Sequence, residues 1–321
     1  MKKVKMILGF MIAVFILTNS CSTYNNSEYA TVNNRDPYLN MQIIRCGNSQ
    51  AYFFPNSQSD KLIIVIEGYG FTSVLGIKDN ERWYEVGMGT QLLPLLRDDY
   101  AFLIPEKFTR QPGKDYTNDM EDRERYTIEN LLKCYMESIN GFLDEYEFTS
   151  IIMIGCSEGA CLLPLVYFEM DSDTRKKVTA MVSIGYGGLS LYESYLILNE
   201  RAVSQEWKDL YSAVLDLFRP GKTEYPDTFD ELFYDTTFRY INSLKYVRPF
   251  DYYRDIDVPI FFVHGLYDPQ NPVESMFYVA YYIQGKPFTF MYYPWGHQPE
   301  TAEQLDVLLN DINEWIRETD K

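Results

Sequence analysis

Six short runs of almost continuously apolar residues most constrain what this chain can fold into. They are KLIIVIEG (61–68), YAFLIP (100–105), SIIMIG (150–155), VTAMVSIG (178–185), VPIFFVHG (258–265) and FTFMYYP (288–294). Apolar runs of this length without polar alternation are typical of strands that are covered on both faces. Two earlier runs, MQIIRC and AYFFP, predict a first pair of strands.

Between these runs, apolar residues recur at intervals of three and four, which predicts amphipathic helices. The clearest examples lie at 128–143 and 305–316. Alternating strands and helices predict an α/β fold with a mostly parallel central β-sheet, flanked by helices on both faces. The length of 321 residues suits one large domain, which we expect at 41–321.

Residues 1–20 are predicted to be a signal peptide and not part of the fold. Lysines precede the apolar run MILGFMIAVFIL, and TNSC follows it, ending at Cys21. A cysteine in this place resembles the lipobox of bacterial lipoproteins, which implies acylation of Cys21; ordinary cleavage and release is the alternative. Residues 21–40 are polar and rich in asparagine, as in a tether. We therefore expect an exported protein, anchored to a membrane by lipid and facing the periplasm or the cell surface.

The formal net charge is −17, and no basic patch interrupts it. Such a chain is repelled by phosphate backbones, so nucleic acid is not an expected partner. Beyond Cys21 the chain has four cysteines, Cys46, Cys134, Cys156 and Cys161. Four are too few for a disulfide framework in a domain of this size, and buried thiols are expected.

The sequence GCSEG, at 155–159, directly follows one of the apolar runs and precedes a helical stretch from about 158 to 168. A serine between two glycines at a strand-to-helix turn is typical of a nucleophile elbow, where crowded backbones leave room only for small residues. The pattern by itself is common in proteins, and its position after a strand makes it informative. Pro164 falls inside the predicted helix and should kink or shorten it.

A nucleophilic Ser157 needs an acid and a base, which follow it in that order at the ends of later strands. The chain has two histidines. His297 lies in the loop YYPWGHQPE before the final helix and is the candidate base, whereas His264 lies inside a strand and is expected to be packed. Asp268, in the turn HGLYDPQNP just past a strand end, is the candidate acid. Glu193, in GYGGLSLYESY, is the alternative acid.

Together, GCSEG, HGLYDPQNP and WGHQ resemble the motifs of the α/β-hydrolase superfamily, of the serine esterase and peptidase type. The resemblance extends from Lys61 to the C-terminus. It implies that Ser157 is the nucleophile, that His297 is the base and that Asp268 orients the histidine. The implied reaction passes through an acyl-enzyme and needs no cofactor.

The resemblance also implies an oxyanion hole made by two backbone amides. One belongs to Glu158, directly after the nucleophile. The other comes from the loop EGYGFTS, in which Tyr69 is the expected donor. Glu67 stands where the superfamily has the histidine of His-Gly-x-Gly, so the side-chain support of this loop is left open.

Two other classes of site are disfavoured by the same residues. EGYGFTS resembles part of a dinucleotide fingerprint, but the third glycine is replaced by Ser73. Two histidines on separate loops, without a His-Glu-x-x-His motif, are too few for a metal site. We therefore expect neither a nucleotide cofactor nor a metal.

About 70 residues separate the strand that ends near 185 from the strand that begins at 258, more than a crossover helix needs. The excess predicts a helical cap at about 189–250, whose Tyr and Phe side chains either line a pocket or pack against the sheet. The expected substrate is a small ester or thioester. A peptide substrate (serine peptidase of the exopeptidase kind) and acyl transfer are the enzymatic alternatives. A binding lipoprotein that merely retains the fold is the other alternative, although it should lack part of the triad.

Overall fold

The computed structural model describes residues 40–79, 82–84, 87–112, 114–116, 119–218 and 237–320. The predicted signal peptide, Cys21 and all of the tether except Asn40 lie outside these residues, as does the stretch 219–236 of the predicted cap. Within the described ranges, no helix combines the length and the apolar character that crossing a membrane requires.

An eight-stranded sheet forms the centre of the fold. The ten strands of the described residues are β1 (Gln42–Cys46), β2 (Ser49–Phe54), β3 (Lys61–Ile66), β4 (Ile77–Asp79), β5 (Arg82–Tyr84), β6 (Ala101–Pro105), β7 (Ser150–Cys156), β8 (Val178–Ile184), β9 (Ile260–Gly265) and β10 (Phe288–Tyr293). The order across the sheet is β1-β2-β6-β3-β7-β8-β9-β10, and β4 and β5 form a separate hairpin. Only the β1–β2 and β2–β6 pairs of the large sheet are antiparallel. The prediction of a mostly parallel α/β sheet is confirmed.

Helices connect most of the strands. They are α1 (Leu93–Leu96), α2 (Met120–Arg125), α3 (Ile128–Leu143), α4 (Glu158–Glu169), α5 (Ser172–Lys176), α6 (Leu191–Arg201), α7 (Gln205–Leu217), α8 (Phe238–Leu244), α9 (Phe250–Tyr253), α10 (Glu274–Tyr282) and α11 (Ala302–Thr319). The side chains of Thr127 and Thr301 cap the first turns of α3 and α11. Helices α6 to α8 lie in the described parts of the predicted cap region, 189–218 and 237–250.

The sheet separates two hydrophobic cores, and β3 shows how. Leu62 and Ile64 face the core that contains residues of α3 and α4. Ile63 and Val65 face the core that contains residues of α11. All four side chains are fully buried. Successive side chains of a strand point to opposite faces, so a strand covered on both sides must be apolar throughout.

Helix α4 continues through Pro164 to Glu169, so the expected shortening does not occur. Proline has no amide hydrogen and cannot bond to the carbonyl of Ala160, four residues earlier. The hydroxyl of Tyr253, which is fully buried, donates to that carbonyl instead, at 3.3 Å. A tertiary contact thus replaces the missing helical hydrogen bond.

Candidate active site

Ser157 occupies a strained turn between β7 and α4. Its φ of 51° and ψ of −113° lie in a region that residues other than glycine rarely adopt. The Ser157 amide donates to the carbonyl of Ile184 at 2.7 Å, which ties the turn to the end of β8. The serine is partly exposed and sits at the N-terminus of α4.

The two glycines around Ser157 are required by close backbone contacts. A Cβ atom at Gly159 would lie 1.9 Å from the carbonyl oxygen of Ile66, at the end of β3. A Cβ atom at Gly155 would lie 2.6 Å from the carbonyl oxygen of Gly159. Any side chain at either position would push α4 away from the sheet.

His297 links Ser157 to Asp268 by two hydrogen bonds. Its Nε2 lies 2.9 Å from the Ser157 Oγ, and its Nδ1 lies 2.7 Å from Asp268 Oδ2. An ionised carboxylate can only accept a hydrogen bond, so Nδ1 must be the donor. In a neutral imidazole the hydrogen is therefore on Nδ1, and Nε2 is free to accept the serine proton. Ser157 and His297 are 140 positions apart in the sequence, and the fold brings both of them together with Asp268.

Asp268 is held by the turn in which it lies. Its Oδ1 accepts the amides of Gln270 at 2.7 Å and Asn271 at 2.9 Å. The Asn271 side chain in turn donates to the Gly185 carbonyl at 2.9 Å, joining this turn to the end of β8. The carboxylate is buried, and these hydrogen bonds fix its orientation.

The histidine and the aspartate shift each other's titration. Burial alone would raise the pKa of Asp268, but the His297 imidazole and its hydrogen bond outweigh it, and the pKa lies below its ordinary value. Burial alone would lower the pKa of His297, but the Asp268 carboxylate outweighs it, and the pKa is raised. The pair therefore favours a charged carboxylate beside an imidazole that readily takes a proton.

His264 is buried within β9, as the sequence predicts. Its Nδ1 is 2.9 Å from the Gly265 carbonyl oxygen. Its Nε2 is 3.9 Å from Asp268 Oδ2 and has no hydrogen-bond partner among the described residues. Burial lowers the pKa of His264, against the opposing effect of Asp268, which favours the neutral form of the ring.

Glu193, the alternative acid, caps a helix and does not contact His297 in the hydrogen bonds of the described residues. Its carboxylate accepts the amide and the hydroxyl of Ser190, both at 2.8 Å, in the capping box of α6. It also pairs with Arg248 at 3.1 Å. The fold therefore joins Asp268, and not Glu193, to His297.

The loop 67–74, between β3 and β4, runs beside Ser157. A Cβ atom at Gly68 would lie 3.2 Å from the Cβ of Ser157. Gly68 and Tyr69 are partly exposed, as Ser157 is. Tyr69 and Glu158, the two predicted oxyanion donors, are therefore next to the serine, the first through this loop and the second along the chain.

Glu67 supports the beginning of this loop. Its Oε1 accepts both the amide and the hydroxyl of Thr90. Burial raises the pKa of Glu67, against the opposing effect of these hydrogen bonds. Thus the residue that departs from the expected histidine still supplies the loop with a side-chain anchor.

Three charged residues after β6 hold the rest of the loop, and the sequence reasoning missed all of them. Lys107 Nζ donates to the Gly68 carbonyl. Arg110 Nη1 donates to the carbonyls of Gly70 at 2.7 Å and Thr72 at 3.1 Å. The remaining residue, Glu106, accepts from the Ser73 hydroxyl at 2.6 Å and the Val74 amide at 3.1 Å. The sequence signal was available, since charged residues in "EKFTR" directly follow a buried strand.

The carboxylate of Glu158 points into a cluster of aromatic residues. It accepts hydrogen bonds from Tyr126 at 3.0 Å and from Tyr240. The ring of Tyr69 lies 5.4 Å from both of those rings. Burial raises the pKa of Glu158, and the charge of Lys107 opposes this.

Two tyrosines of the predicted cap region reach the site from different helices. Tyr240 of α8 donates to Glu158. Tyr211 of α7 donates to the carbonyl of Pro269, next to Asp268, at 2.9 Å. The insertion between β8 and β9 therefore touches the residue after Ser157 and also the turn that carries the aspartate.

Among the described residues, no group of three or more His, Cys, Asp and Glu side chains is arranged to hold a metal ion. The four cysteines of this part of the chain, Cys46, Cys134, Cys156 and Cys161, are free thiols.

No model of a known protein family matches the chain, and neither does any curated protein sequence. Solved structures do match it. Est1E from Butyrivibrio proteoclasticus has a TM-score of 0.56 at 18% identity, over 87% of this chain and 98% of Est1E. The esterase PF2001 of Pyrococcus furiosus has a TM-score of 0.54 at 15% identity, over 92% and 95%.

The acylaminoacyl peptidase of Pyrococcus horikoshii has a TM-score of 0.55 at 14% identity. The match covers 92% of this chain but only 43% of the peptidase. Mouse alpha/beta hydrolase domain-containing protein 10 is similar as well, with a TM-score of 0.52 at 15% identity over 87% of this chain and 98% of that protein. Together with the sheet order and the turn at Ser157, these likenesses show that the chain has the α/β-hydrolase fold.

Proposed function

We propose that this protein is a serine hydrolase that cleaves a carboxylic ester or thioester. The observation that carries the proposal is the hydrogen-bonded chain from Ser157 through His297 to Asp268, with the serine in a strained, partly exposed turn. A serine hydroxyl is a weak nucleophile until a base removes its proton, and the 2.9 Å between His297 Nε2 and Ser157 Oγ supports His297 in that role.

In the first step, His297 Nε2 takes the Ser157 proton while Oγ attacks the carbonyl carbon of the substrate. The amides of Tyr69 and Glu158 donate to the oxygen that becomes negative. The N-terminus of α4 points at the same charge and adds its dipole. Collapse of the intermediate breaks the bond to the leaving group, which takes the proton from His297.

In the second step, water attacks the acyl-enzyme, and His297 takes a proton from it. Collapse of the second intermediate returns the proton to Ser157 Oγ and releases the acid. Asp268 holds the imidazole in the tautomer that both steps need and stabilises its charged form.

An ester or thioester is favoured over a peptide by the extent of the structural likenesses. The two esterases are covered almost completely, whereas the peptidase is covered over less than half of its length. Est1E has also been solved with ferulic acid bound. The partly exposed Tyr69 packs against the buried rings of Tyr126 and Tyr240, and this aromatic residue in the loop beside Ser157 makes aromatic acyl groups worth testing.

The test is a panel of p-nitrophenyl esters of increasing chain length, methyl ferulate and aminoacyl p-nitroanilides, assayed with purified protein. We expect ester turnover and labelling by a fluorophosphonate at Ser157. Ser157→Ala should abolish both, and the exposed Ser172→Ala, at the start of α5, serves as the matched control. Faster cleavage of anilides would favour a peptidase, and transfer to an added alcohol would favour an acyltransferase. No labelling and no turnover would favour a binding protein that retains the fold.

We also propose that the protein is exported and acylated at Cys21. The support is the sequence alone, namely the lysines, the apolar run and the cysteine that follows it. Cells that express the protein should incorporate labelled fatty acid into it, and the protein should be recovered with membranes. Cys21→Ser should abolish both, whereas Cys46→Ser should not. Unchanged membrane recovery of Cys21→Ser would contradict lipid anchoring.

A further inference from the structure

Lys107 is a buried ammonium group beside the proposed oxyanion hole, and the mechanism above does not use it. The residue is 2% exposed. Its Nζ donates to the carbonyl of Gly68 and lies 3.4 Å from the carbonyl of Gly70. Burying a lysine costs free energy unless its charge and hydrogen atoms are satisfied, so a position of this kind needs a reason.

The carbonyl that Lys107 binds belongs to the same peptide unit as the Tyr69 amide. In a trans peptide the C=O and N–H bonds point in opposite directions, and no peptide bond in the described part is cis. A donor held on the Gly68 oxygen therefore fixes the direction of the Tyr69 N–H. It also polarises the peptide and strengthens that N–H as a donor. The Gly68 end of this unit lies beside the nucleophile, since a Cβ atom built on Gly68 would lie 3.2 Å from Ser157 Cβ.

We propose that Lys107 is a positioning residue of the oxyanion hole, which aims and polarises the Tyr69 amide by holding the carbonyl of Gly68. This inference rests on the proposed function, because it names the group that sets the geometry of the same reaction. Lys107 is not one of the reacting groups and acts on the reaction through its neighbours, chiefly through this peptide.

The charge of Lys107 serves the second proposed donor as well. The groups that face the ammonium are the carboxylates of Glu158, Glu106 and Glu67, the guanidinium of Arg110 and the ring of Tyr126, whose centroid is 5.9 Å away. Glu158 carries the other amide of the oxyanion hole. A buried negative charge there would repel the developing oxyanion, and the ammonium offsets that charge.

The position of Lys107 leads to a distinctive pH dependence. Burial lowers the pKa of Lys107 to about 8, although Glu158 opposes the shift. The ammonium is lost as the pH rises through that value, so the rate should fall. The folded-state pKa lies below that of the unfolded chain, about 10.4, so between the two values the unfolded state binds more protons. The contribution of Lys107 to stability therefore rises with pH in this window, and unfolding does not explain the loss of rate.

The test compares Lys107→Met with Lys61→Met, a matched control at the start of β3 whose ammonium pairs with Asp320 at 2.7 Å. On the best ester, Lys107→Met should lower kcat by about 10- to 100-fold with little change in KM, as expected when part of the stabilisation of the oxyanion is lost. Inhibition by a trifluoromethyl ketone analogue of the same acyl group should weaken by a similar factor. The alkaline fall in rate should disappear. Lys61→Met should keep the wild-type kcat and pH profile.

A second comparison separates positioning from charge balance, since Lys107→Met leaves Glu158 without its counter-ion. Lys107→Met is therefore also made in a Glu158→Gln background, where the lost charge is balanced. We expect the free energy of unfolding to recover in the double variant while the additional loss of kcat persists. Recovery of kcat together with stability would overturn the inference, because Lys107 would then only balance Glu158.

Failure of this inference is distinguishable from failure of the proposed function. If the wild-type protein neither turns over esters nor reacts with a fluorophosphonate, the proposed function fails and this inference fails with it. If the wild-type protein is active and Lys107→Met matches it in kcat and in the alkaline limb, only the role of Lys107 is wrong. Should Lys107→Met fail to fold, the wild-type pH profile decides: a rate that stays constant from pH 8 to 10 overturns the inference.

Discussion

Asp268 and His297 lie in turns that directly follow β9 and β10, whereas the loop 67–74 beside Ser157 is held by charged side chains from the segment 106–110. We call the first region the base side and the second the oxyanion side. On the base side, Asp268 receives two amides from residues two and three positions later. On the oxyanion side, the bonds from Lys107 and Arg110 cross 37 to 40 positions.

The difference predicts how the activity and the stability respond to substitutions on each side. A turn that satisfies its own carboxylate depends on few other parts of the fold. Buried charges depend on every partner, because removing one leaves another unpaired in a medium of low dielectric constant. We therefore expect substitutions on the base side to remove activity and to spare the fold. On the oxyanion side, activity and stability should fall together.

The largest expected effect is that of His297→Ala. Without the base, kcat should fall by about 10⁴ or more, while the fold is kept because the buried Asp268 carboxylate retains the amides of Gln270 and Asn271. His264→Ala is the matched control, since that ring is buried in β9, and it should act mainly by lowering the melting temperature. Kinetics on the best ester and thermal denaturation measure both. The opposite ranking of the two variants would place the base at His264.

Asp268→Asn should cost nearly as much, about 10⁴ in kcat, because an amide leaves His297 in the wrong tautomer. Circular dichroism should show an intact fold. Glu193→Gln is the control, and it should change the rate by less than about tenfold, since it loses mainly the pairing with Arg248. A near-normal rate for Asp268→Asn with a collapse for Glu193→Gln would move the acid to the end of β8.

The rate should depend on pH through His297, by up to about tenfold per pH unit on the acid side. Only the neutral imidazole accepts the serine proton, and Asp268 raises the pKa of His297 above its ordinary value, so kcat/KM should reach half of its maximum above about pH 6.5. The contribution of His297 itself to stability runs the other way. It is complete below the unfolded pKa and is lost as the pH rises through the raised folded value. In Asp268→Asn the residual activity should have its midpoint at lower pH; an unmoved midpoint would assign that titration to another group.

On the oxyanion side, Glu67→Leu should lower kcat by about tenfold and also destabilise the fold. The substitution leaves the Thr90 amide buried without its acceptor, which costs about 1–3 kcal/mol. Burial raises the pKa of Glu67 and so favours its uncharged form. Glu67→Gln, which is uncharged and keeps an acceptor oxygen, should therefore reduce kcat and stability much less. Urea denaturation and ester kinetics measure the pair. Equal damage by both substitutions would mean that the charge of Glu67, and not its acceptor oxygen, supports the loop.

The smallest expected effects concern the two tyrosines by which the insertion contacts each side. Tyr211→Phe removes a bond to the neutral carbonyl of Pro269 and should cost about 1 kcal/mol of unfolding free energy. Tyr240→Phe removes a bond to the buried carboxyl of Glu158 and should cost more, about 1.5–3 kcal/mol if that group is charged. Urea denaturation compares the two. A larger loss for Tyr211→Phe would reverse the comparison between the sides.

The sequence by itself determined the eight strands of the large sheet, the helices α3, α4 and α11, and the position of the elbow. Apolar runs of strand length and intervals of three and four are local patterns, and the structure confirms the strands that they predict. The glycines around Ser157 were also readable, because the crowding that demands them belongs to the turn itself. Asp268 and His297 could be chosen for the same reason, since each stands in a short motif directly after a strand.

Only the tertiary structure decided how the oxyanion side is held and how α4 tolerates its proline. Pro164 reads as a helix breaker in the sequence, yet a hydroxyl from Tyr253, 93 residues away, takes the place of the missing bond. Lys107 reads as an ordinary lysine after a strand, yet it is buried against the carbonyl of Gly68. In both cases the partner is distant in the chain. Local patterns record the hydrogen bonds that a segment makes with itself, and the folded chain supplies the partners for the rest.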